Sequence, residues 1–377
     1  MILFRRRALT ALVAAGVLAG ALTGCSAAPG SQVDPSCPDA ATALSALELV
    51  DDVRAATGPS TACLASNGVV AVADTTAPAL PVTVTDAEGT EVTITDVSRI
   101  LPIDISGTIA ATVFALGLGD NVVGRDSSTD LAGTEDLPVV TNAGHTLNAE
   151  AILQLAPTVV LTDTSLGPKE VRQQLRDAGI AVVVVSDDRR LDTTDDLVAE
   201  IAAALGVPTR GAALIRQVDG EIDAAREQIG QVAPPDENEK ARMLFLYVRG
   251  NANIYYIFGA DSGADSLIDA VGGIDVASEI GWQGMRPMTA EALIAAQPDV
   301  IVMMTLGLES VGGVDGLLER IPALMQTPAG QHRRVIDMAD SQILSFGPRS
   351  PEIILALARA LYAPDGAAAG ATPVPVP

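Results

Sequence analysis

Cysteine, histidine and lysine are all scarce in this sequence of 377 residues, which holds three cysteines, two histidines and, as its only lysines, Lys169 and Lys240. No CxxC or Cys/His spacing exists to build a zinc or iron–sulfur site. Two histidines, His145 and His332, are too few for the ligand sets usual in zinc or manganese capture. No strand-linked GxGxxG, P-loop or GxSxG is present, and Gly117-Leu118-Gly119 stands isolated, so the common signatures of nucleotide-dependent enzymes and α/β hydrolases are missing. Basic residues are outnumbered 47 to 23, for a net charge of −24. Such a surface repels nucleic acid and anionic lipid, and excludes both as partners by charge.

What is present begins at the N-terminus. Arg5, Arg6 and Arg7 precede an apolar stretch from Ala8 to Ala21, and Leu22-Thr23-Gly24-Cys25 follows. The apolar run is short for a membrane span and ends in small residues, the pattern of a cleaved export signal over residues 1–25. Its Leu-small-Gly-Cys ending resembles the bacterial lipobox, which implies that Cys25 becomes a diacylated N-terminus on the extracytoplasmic face of the membrane. Cys37 and Cys63 would then remain as an even pair in an oxidising compartment. A bridge between them would close a loop of about 27 residues and add roughly 3 kcal/mol.

Residues 26–80 are rich in Ala, Pro and Thr and read as an extension or tether, with one helix expected around Asp39 to Ala56. Val82–Thr85 and Glu91–Ile94 flank a turn signal and predict a hairpin. Short β-branched runs then alternate with helical stretches. Strands are expected at Asn121–Val123, Pro138–Val140, Thr158–Leu161 and Ala181–Val185, and helices near Thr108–Leu118, Ala149–Leu155, Lys169–Ala178 and Thr194–Leu205. That alternation predicts an α/β fold with helices on both faces of a parallel sheet. Pro208 opens a long apolar periodicity to residue 230, a helix of about 35 Å that can join two lobes. A second α/β series runs from Ala241–Val248 to the helix Pro351–Tyr362, and residues 363–377 read as a disordered tail.

The chain also repeats itself. Residues 147–161 align without gaps to residues 288–302, sharing a cap, an Ala-Glu-Ala helix start, a proline and a buried strand. Two Rossmann-like lobes, 81–207 and 231–362, joined by one helix follow from this. Within the second lobe, Met243–Arg249 reads as a buried strand whose alternation sends Tyr247 and Arg249 the same way from its carboxyl end, where open α/β sheets bind ligands. His145 lies in a Gly-containing loop at the matching edge of the first lobe.

From Pro81 to Tyr362 the chain resembles the two-lobed binding proteins that serve iron-complex, cobalamin and haem ABC importers. Through Asn142-Ala143-Gly144-His145-Thr146-Leu147-Asn148-Ala149-Glu150 and Tyr247-Val248-Arg249-Gly250-Asn251-Ala252-Asn253 it is similar to actinobacterial haem-binding lipoproteins. The resemblance implies haem as transported ligand rather than catalytic cofactor, with His145 and Tyr247 on opposite faces of the iron and Arg249 at the tyrosine oxygen. It also implies docking of Glu150 and Glu291 to a dimeric permease by a monomeric, non-enzymatic binding protein. Trp282, Met285, Arg286 and Met288, which correspond in place to the His145 loop, are expected to line the cleft together with Tyr255 and Tyr256: Trp282 by stacking on a flat ligand and Arg286 by meeting a propionate. Ferric siderophore or cobalamin on the same scaffold is the alternative.

Overall fold

The computed structural model describes residues 40–142 and 145–364. Cys25, Cys37, the export signal and the C-terminal tail lie outside these residues. The first strand, β1 (Ser60–Ala62), already departs from expectation, because it falls inside the segment read as a tether and forms one edge of the second lobe's sheet.

The first lobe contains β2 (Val82–Thr85) and β3 (Glu91–Ile94), paired as the expected antiparallel hairpin. Its central sheet is parallel, in the order β4 (Ile100–Ile103), β7 (Val159–Thr162), β8 (Ala181–Val184). Every residue of β4 and β7 is buried, as a strand covered by helices on both faces requires. Between them lie the two-residue strands β5 (Thr141–Asn142) and β6 (Thr146–Leu147), a small antiparallel ladder. Asn121–Val123 and Pro138–Val140 do not form strands. Each contributes only a bridge, Ile100 to Val122 and Arg125 to Val139. Pro138 offers no N–H to a ladder, and a side chain on Gly124 would collide with Leu155 Cδ1 at 2.5 Å.

The second lobe adds β9 (Arg242–Arg249), β10 (Ile254–Phe258), β11 (Ile274–Asp275), β12 (Met285–Pro287), β13 (Val300–Met304) and β14 (Val335–Met338). The order is β1-β14-β13-β9-β10-β12, with β11 alongside the start of β9. β1, β14, β13 and β9 are parallel, whereas β10 and β12 run antiparallel at one edge. The internal repeat holds at backbone level. Asn148 and Thr289 each cap a helix by accepting an N–H three residues on, at 3.1 Å in both copies. Ala156 and Gln297, aligned just before the prolines, both take positive φ, 44° and 43°.

The helix Pro208–Gly230 packs against Thr194–Ala204 of the first lobe and Ser350–Tyr362 of the second. Leu214, Val218, Ile222, Ala225 and Ile229 bury one stripe, the larger side chains contributing about 1.5–3 kcal/mol each. Gly211 is needed here, because a Cβ would sit 2.5 Å from that of Ala202. One apolar cluster therefore runs continuously from Ile94 through this helix to Leu361.

Residues 40–80 are corrected from tether to structural part. No long helix spans Asp39 to Ala56; only a short turn, Leu44–Ala46, forms. The local helix preference yields to packing of Leu44, Val53 and Ala56, with Val50 N–H donating to Tyr362 O at 2.9 Å. Beyond β1 the chain crosses to the first lobe, where Val72 N–H reaches Ala115 O and Ala79 N–H reaches Gly206 O, both at 2.8 Å. Arg210 donates to Thr76 O at 2.9 Å and secures the crossing.

Candidate functional site

The carboxyl end of β9 carries the principal pair. Tyr247 is half-buried and stacks on Phe258, with ring centroids 5.9 Å apart. The Arg249 guanidinium lies 4.6 Å above the Tyr247 ring centroid. Its Nη2 pairs with Asp340 Oδ1 at 2.5 Å and its Nη1 donates to Val248 O at 3.0 Å. Arg249 thus meets the tyrosine through the ring face, not through the phenolic oxygen as expected. Nothing among the described residues hydrogen-bonds to Tyr247 Oη.

His145 occupies the connection between β5 and β6 and takes φ of 62°, an uncommon conformation for a side chain of this size. Ser127 Oγ and Ser128 Oγ lie 3.3 and 3.5 Å from its Nδ1. Both serines are themselves fixed, Ser127 N–H donating to Thr141 Oγ1 at 2.9 Å and Ser128 N–H to Asp126 Oδ1 at 2.7 Å. With Nδ1 facing hydroxyls, Nε2 is the nitrogen left for a ligand. Partial burial depresses the imidazole pKa, Arg249 lowers it further, and Asp340 opposes them. Replacing Ser127 and Ser128 together by alanine is expected to leave the fold intact and weaken any ligand held by Nε2 by about tenfold, measured as a dissociation rate. An unchanged rate would remove the serines from the site.

Strand register sorts the remaining candidates. Residues directly opposite in an antiparallel pair share a face, so Tyr256, opposite Tyr247, lies on the Tyr247 side, and Met285, opposite Phe258, lies there too. Tyr255 and Arg286 fall on the other face and are corrected as lining residues. Arg286 donates to Gln283 O at 3.1 Å, whereas Tyr255 packs with Trp282 and Met288 on the second apolar cluster. Trp282 belongs to that packing rather than to the Tyr247 side. Met285 is 55% exposed.

Sequence reasoning missed the apolar rim and Asp340. Ile105, just past β4, and Leu306, just past β13, are 48% and 59% exposed. Met285, which opens β12 opposite Phe258, adds an exposed apolar side chain on the Tyr247 face. By contrast, a concavity of about 590 Å³ lined by Asp51, Arg54, Asn238 and Asp299 lies at the amino ends of β9 and β13, away from this site. Glu150 and Glu291 are exposed in the first turns of their helices.

Behind Ile105 sits a buried acidic group. Asp104, Asp126 and Asp163 are at most 2% exposed, and Arg189 Nη2 lies 2.7 Å from Asp163 and 3.8 Å from Asp104. Burial raises all three, Asp126 and Asp163 to about 6. A carboxyl whose folded pKa exceeds its unfolded value of about 3.9 holds its proton more tightly when folded, so its stabilisation is full at low pH and is lost as pH rises through the folded pKa. The melting temperature is therefore expected to rise as pH falls from about 7.5 to 5.5; a lower value at the acid end would contradict this account.

Comparison with known proteins follows the same lines. The family model for periplasmic binding proteins matches residues 104–341. The crystal structure of the heme binding protein HmuT is similar, with 44% identity and a TM-score of 0.77 over 82% of this chain and 99% of that one. The periplasmic heme-binding protein RhuT from Roseiflexus sp. RS-1 is 39% identical, with a TM-score of 0.63 over 72% of this chain and 99% of its own. Among curated proteins, the uncharacterized ABC transporter substrate-binding lipoprotein YvrC of Bacillus subtilis is 27% identical over 76% of this chain and 86% of its own length. A cobalamin-binding protein of Halobacterium salinarum is 26% identical over 75% and 74%. With more than half its length matched by the family model, the chain belongs to the periplasmic binding protein family.

Proposed function

We propose that this protein captures haem outside the cell membrane and hands it to the permease of an ABC importer. The observation that carries this reading is Tyr247 at the carboxyl end of β9, its Oη without a hydrogen-bond partner among the described residues, together with His145 in a first-lobe loop whose Nδ1 faces Ser127 and Ser128 and leaves Nε2 for a ligand. Tyrosine and histidine are both established haem-iron ligands. The exposed apolar side chains of Ile105, Leu306 and Met285 suit a flat, largely apolar macrocycle. Similarity to heme-binding proteins supports the same ligand.

The reading extends to the rest of the chain. Cys25 carries the lipid anchor at the extracytoplasmic face, and Cys37 pairs with Cys63, which is disulfide-bonded. Glu150 and Glu291, exposed at equivalent places on two lobes, dock to a two-fold symmetric permease. The protein acts as a transport component with no catalytic cofactor. Cobalamin is the second reading, favoured by the Halobacterium relative, and it requires no iron ligand from the protein.

Titration of the purified protein with ferric haem, and separately with cobalamin, tests both readings. Haem capture is expected to give a saturable Soret shift at one haem per chain, altered by His145→Ala and by Tyr247→Ala. Saturable cobalamin binding indifferent to both substitutions would replace haem with the second reading.

A further inference from the structure

The Arg249–Asp340 pair is more elaborate than an incidental surface contact. Asp340 uses both carboxylate oxygens: Oδ1 meets Arg249 Nη2 at 2.5 Å, while Oδ2 accepts Leu306 N–H at 2.9 Å. Its side chain is 18% exposed, so the pair is screened less than a surface ion pair. Arg249 is held at its other nitrogen by Val248 O, and Met304 Sδ lies 3.6 Å from Nη2. A guanidinium fixed at both ends is a plate of set orientation, and this plate covers one face of the Tyr247 ring, which also stacks with Phe258. Such a ring keeps few orientations. Without Asp340, Nη2 would lose its charged acceptor. The flexible side chain would then be free to swing toward the phenolic oxygen or toward an anionic group on the ligand.

We propose that Asp340 is a positioning residue of the ligand site, which holds Arg249 over the Tyr247 ring and so fixes the ring that presents the phenolic oxygen to the iron. Its effect on haem rests on the reading above, whereas its hold on Arg249 does not. Asp340 also links three strand ends. It follows β14, its partner Leu306 follows β13, and Arg249 ends β9. The apolar rim residue Leu306 is therefore oriented by the same carboxylate that orients the cation.

Two measurements test this. In the ligand-free protein, the Arg249 Nη–H resonance, assigned by its disappearance in Arg249→Ala, should be dispersed and slow to exchange. It should collapse toward the free-arginine position in Asp340→Ala and recover in part in Asp340→Glu. A resonance unmoved by Asp340→Ala overturns the proposal whether or not haem binds. In the haem-loaded protein, the rate of haem loss to excess apomyoglobin is compared in Arg249→Ala, Asp340→Ala and the double variant. Each single substitution is expected to speed loss by about tenfold, and the double variant to be no faster than Arg249→Ala, because the two residues act as one unit. Resonance Raman bands of iron-bound tyrosinate should shift alike in both single variants. Multiplicative effects in the double variant, or loss at the wild-type rate in Asp340→Ala, would also overturn it. If the wild type takes up no haem but the Arg249 resonance behaves as expected, the haem reading fails and the positioning role stands.

Discussion

Tyr247→Ala is expected to raise the rate of haem loss by roughly 100-fold or more, since even the outer residues that support a metal ligand are worth about 10–100-fold. The substitution removes a phenolic oxygen at the carboxyl end of β9 that no described residue hydrogen-bonds. It also leaves Arg249 above an empty space, still paired with Asp340. Loss of packing is modest by comparison, because Tyr247 is only half-buried and Phe258 still stacks on Phe245 at 4.9 Å. The fold should therefore survive, and a circular dichroism spectrum like that of the wild type would show it. His145→Ala is expected to act in the same direction and to leave a five-coordinate spectrum carrying tyrosinate features. Tyr247→Phe separates ligation from packing: it keeps the ring under Arg249 and removes only the oxygen. If Tyr247→Phe retained haem as well as the wild type, tyrosine ligation would have to be abandoned, however well the ring is placed.

Legibility of this site in the sequence followed the range of the interactions involved. Tyr247 and Arg249 could be placed because strand alternation is local, and the buried run before them marks a central strand. Choosing Tyr256 over Tyr255 was not possible locally. That choice depends on the antiparallel pairing of β10 with β9, and a slip of one residue exchanges the faces. Arg286 fell on the other face for the same reason, because its face is set by the pairing of β12 with β10. Ile105, Leu306 and Asp340 sit beyond three different strands, and no spacing joins them in the sequence. The positive φ of His145 and its two serine contacts likewise arise from a loop meeting β5 and β6. The internal repeat was readable because each copy is a short unit that caps, turns and extends on its own. The segment before residue 80 was not, because Ser60-Thr61-Ala62 has no strand pattern and its partner, Ile336 to Met338, lies near the other end of the chain.

That long-range pairing is braced by one buried side chain, and Arg334→Met is expected to destabilise the protein by about 3–5 kcal/mol. Arg334 is fully buried. Its Nη1 donates to Gly58 O at 3.2 Å and Ser60 Oγ at 2.9 Å, and its Nη2 to Ala360 O at 2.6 Å and Leu361 O at 3.1 Å. The guanidinium thus joins the entry to β1, the end of the helix Ser350–Tyr362 and the start of β14. Methionine fills much of the same volume but offers no donor, so three carbonyls and a hydroxyl lose their charged partner inside the protein. Hydrogen bonds to a charged group are worth about 1.5–3 kcal/mol each, though not additively, because Ser60 Oγ keeps its own bond to Ala360 O at 2.8 Å. Arg334→Lys should recover only part of the loss, since one ammonium cannot span four acceptors. Hydrogen exchange at residues 60–62 should accelerate before the rest of the second-lobe sheet, as β1 is the edge strand. Haem retention well below the unfolding temperature should change little, because the site lies at the opposite ends of these strands. A melting temperature within about 2 °C of wild type would mean that β1 is held by its ladder alone.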